Sequence, residues 1–159
     1  MATNIRPMIK NDKAAIEKIL HATPEFNSAE VKVALELIDL YLKYGISSDY
    51  HMLVAEIGNT AVGYICFGPT PMTEGTWDIY WMAVDPRQQR QGIGRRLLNE
   101  AEVDISKTRG RLILIETSSK PEYEKTRKFY ESCGHEIIAR IPDFYAPGDN
   151  KVIFQKKLS

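Results

Sequence analysis

Gln89-Arg90-Gln91-Gly92-Ile93-Gly94-Arg95-Arg96 is the stretch of this 159-residue chain whose residue types most plainly suit chemistry. It follows a β-rich run, Trp77–Val84, stopped by Asp85-Pro86, and opens a helical periodicity through Ile93, Leu97, Leu98, Ala101 and Ile105. A helix start leaves backbone N–H groups unpaired and carries the positive end of the helix dipole, so it suits an anion such as a diphosphate. Gly92 and Gly94 lack a Cβ and let phosphate oxygens approach the backbone, while Gln89, Arg90, Arg95 and Arg96 add side-chain donors. Two other phosphate motifs fit less well. A P-loop needs a Gly-Lys-Ser/Thr that is missing, and a dinucleotide fingerprint needs a third glycine where Leu97 stands. An ordinary helix start with a basic surface would carry the same two glycines, so the turn alone leaves both readings open.

The surrounding text narrows the choice. Trp77–Pro86 followed by Gln89-x-x-Gly92-x-Gly94 resembles the central motif of the GNAT acetyltransferase superfamily, a Gln/Arg-x-x-Gly-x-Gly/Ala after a strand ending in Val-x-Pro. Downstream, Phe129-Tyr130-Glu131-Ser132-Cys133-Gly134-His135 resembles the family's Phe-Tyr-x-x-x-Gly-Phe/Tyr segment, in the expected order and at about the expected distance. Glu116-Thr117-Ser118-Ser119 and Asp143–Asp149 resemble a prokaryotic branch that implies no single substrate. The resemblance implies acetyl-CoA as co-substrate and direct transfer of its acetyl group to an amine, with no acyl-enzyme. It assigns the pantetheine arm to the backbone of Met82, Ala83 and Val84 on a strand that splays from its neighbour. Gln89, Arg90, Gln91, Gly92, Ile93, Gly94 and Arg95 would hold the phosphates, and Tyr123, Thr126 and Phe129 would complete the cofactor contacts.

The same resemblance makes Tyr130 a general acid toward the departing thiolate. Its bland alternative is a partly buried helix tyrosine with a structural partner. An alkylamine is mostly protonated at neutral pH, so a base is needed. Asp78 aligns with the glutamate base of the histone-acetylating branch, and Glu116 is the second candidate; either could instead only bind substrate or cap a turn. Strand alternation places Asp78, Tyr80, Met82 and Val84 on one face and Trp77, Ile79, Trp81 and Ala83 on the other. The acceptor is expected between Thr23–Ser28 and the turn-rich Pro142–Asn150, where Glu25, Asp143, Tyr145 and Asp149, with Tyr80, would form an acidic, aromatic rim for a cationic amine. Asp, Gly and Pro are also ordinary turn formers. The chain departs from the family pattern at Arg90 (often Gly), Tyr123 (often Asn) and His135 (usually Phe or Tyr).

These groups need a scaffold. Asn4–Ile9 reads as a strand, followed by a helix capped by Asn11 or Asp12 and a second helix that Ser28 can cap and Gly45 ends. Val31–Leu42 in that helix is apolar on more than one side, so it is deeply packed or covered. His51–Ile57 and Ala61–Phe67 form a hairpin at Gly58-Asn59. Then come the strand Trp77–Val84, a helix from about Gly92 to Lys107, the strand Arg111–Thr117, the helix Tyr123–Cys133 and the closing strands His135–Ile141 and Lys151–Lys157. The order β α α β β β α β α β β predicts an α+β layered domain, a mixed and mostly antiparallel sheet with helices on both faces, spanning 1–159 as a single unit.

Composition limits the alternatives. Lys plus Arg and Asp plus Glu number 21 each, which argues against nonspecific nucleic-acid or anionic-membrane binding. Cys66 and Cys133 lie in unrelated segments and His21, His51 and His135 are scattered, so neither a disulfide framework nor a metal site is expected. No apolar run nears 18 residues and Met1–Arg6 lacks a signal-peptide pattern, making the cytoplasm the default location. Two rivals to the enzyme remain: a non-catalytic acetyl-CoA sensor, and an interaction protein dimerising through Val31–Leu42. A homodimer is equally compatible with the enzyme, as are a hydroxyl acceptor or a longer acyl donor.

Overall fold

The described residues of the computed structural model, 2–158, follow the expected alternation. They form β1 (Thr3–Pro7), α1 (Lys13–Ala22), α2 (Ser28–Tyr44), β2 (His51–Ile57), β3 (Thr60–Pro69), β4 (Thr76–Val84), α3 (Ile93–Lys107), β5 (Leu112–Ser118), α4 (Glu124–Ser132), β6 (Glu136–Ala146) and β7 (Asp149–Lys157). The domain expected over 1–159 extends one residue past this range at each end. The strands make one sheet in the order β1-β2-β3-β4-β5-β7-β6. Every neighbouring pair is antiparallel except β4 and β5, which run parallel. The expectation of a mixed, mostly antiparallel sheet is met.

Alternation along the strands divides the interior in two. Leu53, Ile65 and Phe67 point with Trp77, Ile113 and Phe154 toward one face, where α3 contributes Ile93, Leu97, Leu98, Ala101 and Ile105. Met52, Val54, Tyr64 and Cys66 point to the other, against Ile16, Ile19 and Leu20 of α1 and Val31, Ala34 and Ile38 of α2. β3 is buried on both faces along most of its length, which is why its sequence reads as a continuous apolar run. In α2 the apolar residues separate into two stripes. Val31, Ala34 and Ile38 are in the core, whereas Val33 and Leu40 are 47 % and 42 % exposed.

Three local expectations are corrected. Asn27, not Ser28, caps α2: Glu30 N donates to Asn27 Oδ1 (2.8 Å) and Asn27 N donates to Glu30 Oε1 (3.2 Å), a complete capping box one residue earlier. Asp12 precedes α1 but does not cap it with its side chain. Its carboxylate turns back to accept from Ile9 N (2.8 Å) and from both terminal nitrogens of Arg6 (2.8 Å each), closing the 3-10 turn Lys10–Asp12. Pro142–Asn150 is not a loop but the far end of the β6–β7 hairpin, with the reversal confined to Pro147-Gly148. β6 absorbs Pro142 and Asp143 through a register irregularity between Ile141 and Ala146, where Asp143 has φ +56°. Among the described residues no helix is long and apolar enough to cross a membrane.

Candidate active site

β4 and β5 pair only from Thr76↔Leu112 to Ile79↔Ile115. Beyond that, β4 continues along β3 to Val84↔Gly63 while β5 continues along β7 to Ser118↔Lys151, so the two strands part. The opening is a cleft of about 1430 Å³. The sheet core below it stays intact because each diverging strand keeps its outer neighbour.

A bulge in β4 decides which side chains enter this cleft. Phe67 pairs with Ile79 and Cys66 with Trp81, leaving Tyr80 without a partner in register. One extra residue inverts the alternation, so the faces expected from the sequence hold only up to Ile79. Met82 and Val84 pack on the α3 side with Trp77 and Ile79, not with Asp78, while Trp81 and Ala83 turn to the α1–α2 side. Tyr80, at the bulge, meets Tyr50 edge-on at 5.5 Å. Burial first, then the nearby Asp78 charge, push its phenol up to about 12.

At one end of the cleft lies the turn before α3. Asp85 Oδ1 accepts from Arg87 N (2.9 Å) and shapes the 3-10 turn Pro86–Gln88. Arg90 and Gly92 then take positive φ, +68° and +78°. At Gly92 this conformation is free of steric cost, whereas at Arg90 a side chain is carried in the left-handed region. The first intrahelical bond runs from Arg96 N to Gly92 O (3.0 Å), so the N–H groups of Ile93, Gly94 and Arg95 precede the helical ladder. A Cβ at Gly94 would meet Phe129 Cζ at 3.4 Å and Val84 Cγ2 at 3.8 Å; its absence keeps this end of the cleft open.

The donors around the turn are not all free. Gln89 Nε2 donates to Val84 O (3.3 Å), and Gln91 Nε2 donates to Gln88 Oε1 (3.1 Å) with Gln91 outside the cleft lining. Arg95 lines the cleft but reaches Ser132, donating to its Oγ at 3.0 Å. Arg96 turns away to Thr3 O (2.7 Å). Arg90 lines the cleft with no ion pair among the described residues.

α4 forms the facing wall through Thr126, Phe129 and Tyr130. Tyr130 is 7 % exposed and is enclosed by Phe129 at 5.6 Å, Phe154 at 5.7 Å and His135 at 6.1 Å. Its hydroxyl makes no hydrogen bond among the described residues, and burial holds its proton far above the ordinary tyrosine range. Tyr123, at the start of α4, spans to the α1–α2 loop and donates to Glu25 O (3.0 Å) and Glu30 Oε2 (3.4 Å). Burial and these carboxylates raise its proton affinity.

The other end of the cleft gathers carboxylates and aromatic rings. Asp78 accepts from Thr70 Oγ1 (2.7 Å), and Glu116 pairs with Lys151 Nζ at 2.9 Å. Glu25, Tyr145 and Tyr80 line the same space. Asp143 does not: its Oδ1 accepts from Gly148 N (2.8 Å) and serves the hairpin turn. Asp149, expected in this rim, does line the cleft; it is buried and accepts from Ser118 Oγ. Two lining residues were not expected: Trp81, which meets Phe26 edge-on at 5.4 Å, and Glu30. The Asn27-x-x-Glu30 spacing was a signal for Glu30; nothing local marks Trp81 until the bulge is known. Among the described residues no cluster of three or more His, Cys, Asp or Glu could hold a metal ion.

The model of the acetyltransferase (GNAT) domain family matches residues 48–137. N-alpha-acetyltransferase RimI of Mycobacterium tuberculosis is 31 % identical over 98 residues, which span 60 % of this chain and 58 % of that protein. A crystal structure of a GNAT-family protein from Desulfovibrio desulfuricans superposes with a TM-score of 0.96 at 39 % identity, covering 99 % of this chain and 100 % of that one. The Salmonella typhimurium protein yncA, solved with its cofactor acetyl-CoA, shares the fold at a TM-score of 0.77 and 22 % identity, covering 100 % of this chain and 95 % of that one.

Proposed function

Because the chain belongs to the GNAT acetyltransferase family, we propose that it binds acetyl-CoA as co-substrate and transfers the acetyl group directly to a primary amine, as a single domain spanning 1–159. The observation that carries this reading is the parting of β4 and β5, which joins an anion-binding helix start and a carboxylate-rich pocket in one cleft. The diphosphate docks on the N–H groups of Ile93, Gly94 and Arg95, with Arg90 and Gln89 beside it. The pantetheine arm follows the β4 edge at Met82, Ala83 and Val84 and passes Thr126 and Phe129. A backbone N–H near Met82 polarises the thioester carbonyl. Tyr123 acts here as a wall tied to the α1–α2 loop, in place of a direct cofactor ligand.

Asp78 is the preferred base. Glu116 is engaged by Lys151, whereas Asp78 holds only a hydroxyl and lines the cleft. Asp78 takes a proton from the ammonium, directly or through water; the neutral amine attacks the carbonyl carbon, the C–S bond breaks, and the thiolate takes the Tyr130 proton. The proton shed as the nitrogen becomes an amide returns to the Tyr130 phenolate through water. Alignment of two bound substrates supplies much of the rate gain. Glu25, Glu30, Asp149, Tyr80 and Tyr145 favour a cationic acceptor through charge and cation–π contact.

Calorimetric titration with acetyl-CoA, followed by thiol release against an amine panel, tests the reading. Binding with amine-dependent thiol release is the expected result. Binding without turnover across mono-, di- and polyamines and peptide amino termini would favour a cofactor-sensing module, and no binding would overturn the proposal.

A further inference from the structure

We infer that Glu102, His135 and Lys156 form a positioning network that fixes the phenol of Tyr130, an inference that rests on Tyr130 acting as the general acid. The three residues come from α3, the turn after α4, and β7, and they meet behind the cleft. His135 Nε2 lies 3.4 Å from Glu102 Oε2, and Lys156 Nζ donates to Glu102 Oε1 at 2.7 Å. Lys156 Nζ also donates to Cys133 O at 3.0 Å, at the carboxy end of α4, where an ammonium suits the helix dipole.

His135 is the link to Tyr130. Its side chain is fully enclosed, and its ring lies 6.1 Å from the Tyr130 ring at an interplanar angle of 63°. Its peptide N–H donates to Tyr130 O at 3.0 Å. His135 Nδ1 has no partner among the described residues, so the ring's polar tie to the rest of the protein runs through Nε2, toward Glu102. Of the rings enclosing Tyr130, His135 alone carries a polar group that anchors it to another helix. A second tie between the same helices, from Arg95 to Ser132 Oγ at 3.0 Å, lies two turns nearer the cleft on α3.

This arrangement is expensive for a packing role alone. The Glu102–Lys156 ion pair is only partly buried, and a fully enclosed ring nitrogen without a partner costs stability relative to an apolar side chain of the same shape. What it adds is direction. Glu102 holds His135 with one oxygen and Lys156 with the other, and those two contacts set the end of α4 and the Tyr130 ring against the α3 helix whose first turn holds the phosphates.

The test uses the whole chain labelled with [ζ-13C]tyrosine, the Tyr130 signal being assigned by its loss in Tyr130→Phe. With saturating coenzyme A, His135→Phe and Glu102→Gln should shift or broaden that signal, while the thermal midpoint of His135→Phe stays at or above the parent's. An unmoved signal in both variants overturns the inference. With the best amine of the panel, His135→Phe should lower kcat about tenfold and leave the KM for acetyl-CoA within twofold, as expected when a proton donor is misaligned. In the Tyr130→Phe background it should cause no further loss. An equal loss in that background would assign His135 a role separate from Tyr130 and overturn the inference. Full kcat in Tyr130→Phe itself would remove the general acid and this inference with it. A crippled Tyr130→Phe beside a normal His135→Phe would remove the inference alone.

Discussion

Replacing Tyr130 by Phe removes one oxygen and leaves a ring that still fits among Phe129, His135 and Phe154. We expect kcat to fall about 10- to 100-fold, toward the low side of general acid catalysis because a thiolate leaves without much help. Affinity for acetyl-CoA in calorimetry should be unchanged. Burial holds the Tyr130 proton far above the ordinary range, so the phenol stays protonated in alkaline buffer and the ratio of the two kcat values should be equal at pH 7 and pH 9. Arg90 illustrates the opposite balance. Its φ of +68° costs about 1–3 kcal/mol for a residue with a Cβ, yet its charge stands at the cleft. Arg90→Gly should therefore raise the thermal midpoint by a few degrees while weakening acetyl-CoA binding, and the two changes can be read on one preparation by scanning and titration calorimetry.

At the scale of elements, the site depends on how two helices begin and where one strand bulges. The α2 capping box fixes the α1–α2 loop, which supplies Glu25 and Phe26 to the cleft, and the first turn of α2, which supplies Glu30. Asn27→Ala should cost about 1 kcal/mol, lowering the thermal midpoint by about 2–4 °C for a chain of this size. Ser28→Ala should shift it much less, because Asn27 supplies the cap. The β4 bulge matters more for chemistry than for stability. By inserting Tyr80 out of register it brings Met82 and Val84 to the α3 side, so the strand presents Asp78 on one face and Met82 and Val84 on the other. The strand was legible in the sequence to within one residue, because β-branched and aromatic residues bounded by Asp-Pro admit little else. The bulge was not legible: a period of two carries no mark of the residue at which it restarts.

For the molecule as a whole, buried titratable groups bound its stability from both sides of neutrality. Burial would raise Asp12 and Glu102, but hydrogen bonds from Arg6 and Ile9 in one case, and from His135 and Lys156 in the other, hold both below their ordinary values. Glu56, bonded by Arg6 and Asn4, is also lowered. A depressed carboxylate contributes stability above its unfolded value and loses it as pH falls through the folded one. Tyr64, Tyr123 and Tyr130 are raised, chiefly by burial, and their contribution is present below their unfolded value and lost as pH rises through the folded one. Burial also holds the His51 imidazole below its ordinary value, so its contribution is lost as pH falls below about 6.5. Denaturant unfolding should therefore show a plateau from about pH 7 to 9, given ordinary histidine and tyrosine values near 6.5 and 10. It should decline on both sides, and Arg6→Met should lower stability at neutral pH and make the acid decline shallower, because Asp12 and Glu56 lose the partner that depresses them.

The sequence by itself determined the order of strands and helices, the α3 core stripe and the helix-start turn, because periodicity, Gly, Pro and β-branching act within a few residues. It also brought Tyr130 and Asp78 to notice through the text around them. Only the tertiary structure decided that β4 and β5 part after Ile79 and that Tyr80 inverts the strand faces. It also decided that Asp143 serves a turn, so that of the two expected hairpin aspartates only Asp149 lines the cleft, and that Glu30 and Trp81 enter it. The joining of Glu102, His135 and Lys156 likewise appears only in three dimensions. These outcomes depend on strand register and on contacts between residues far apart in the chain, which no local pattern encodes.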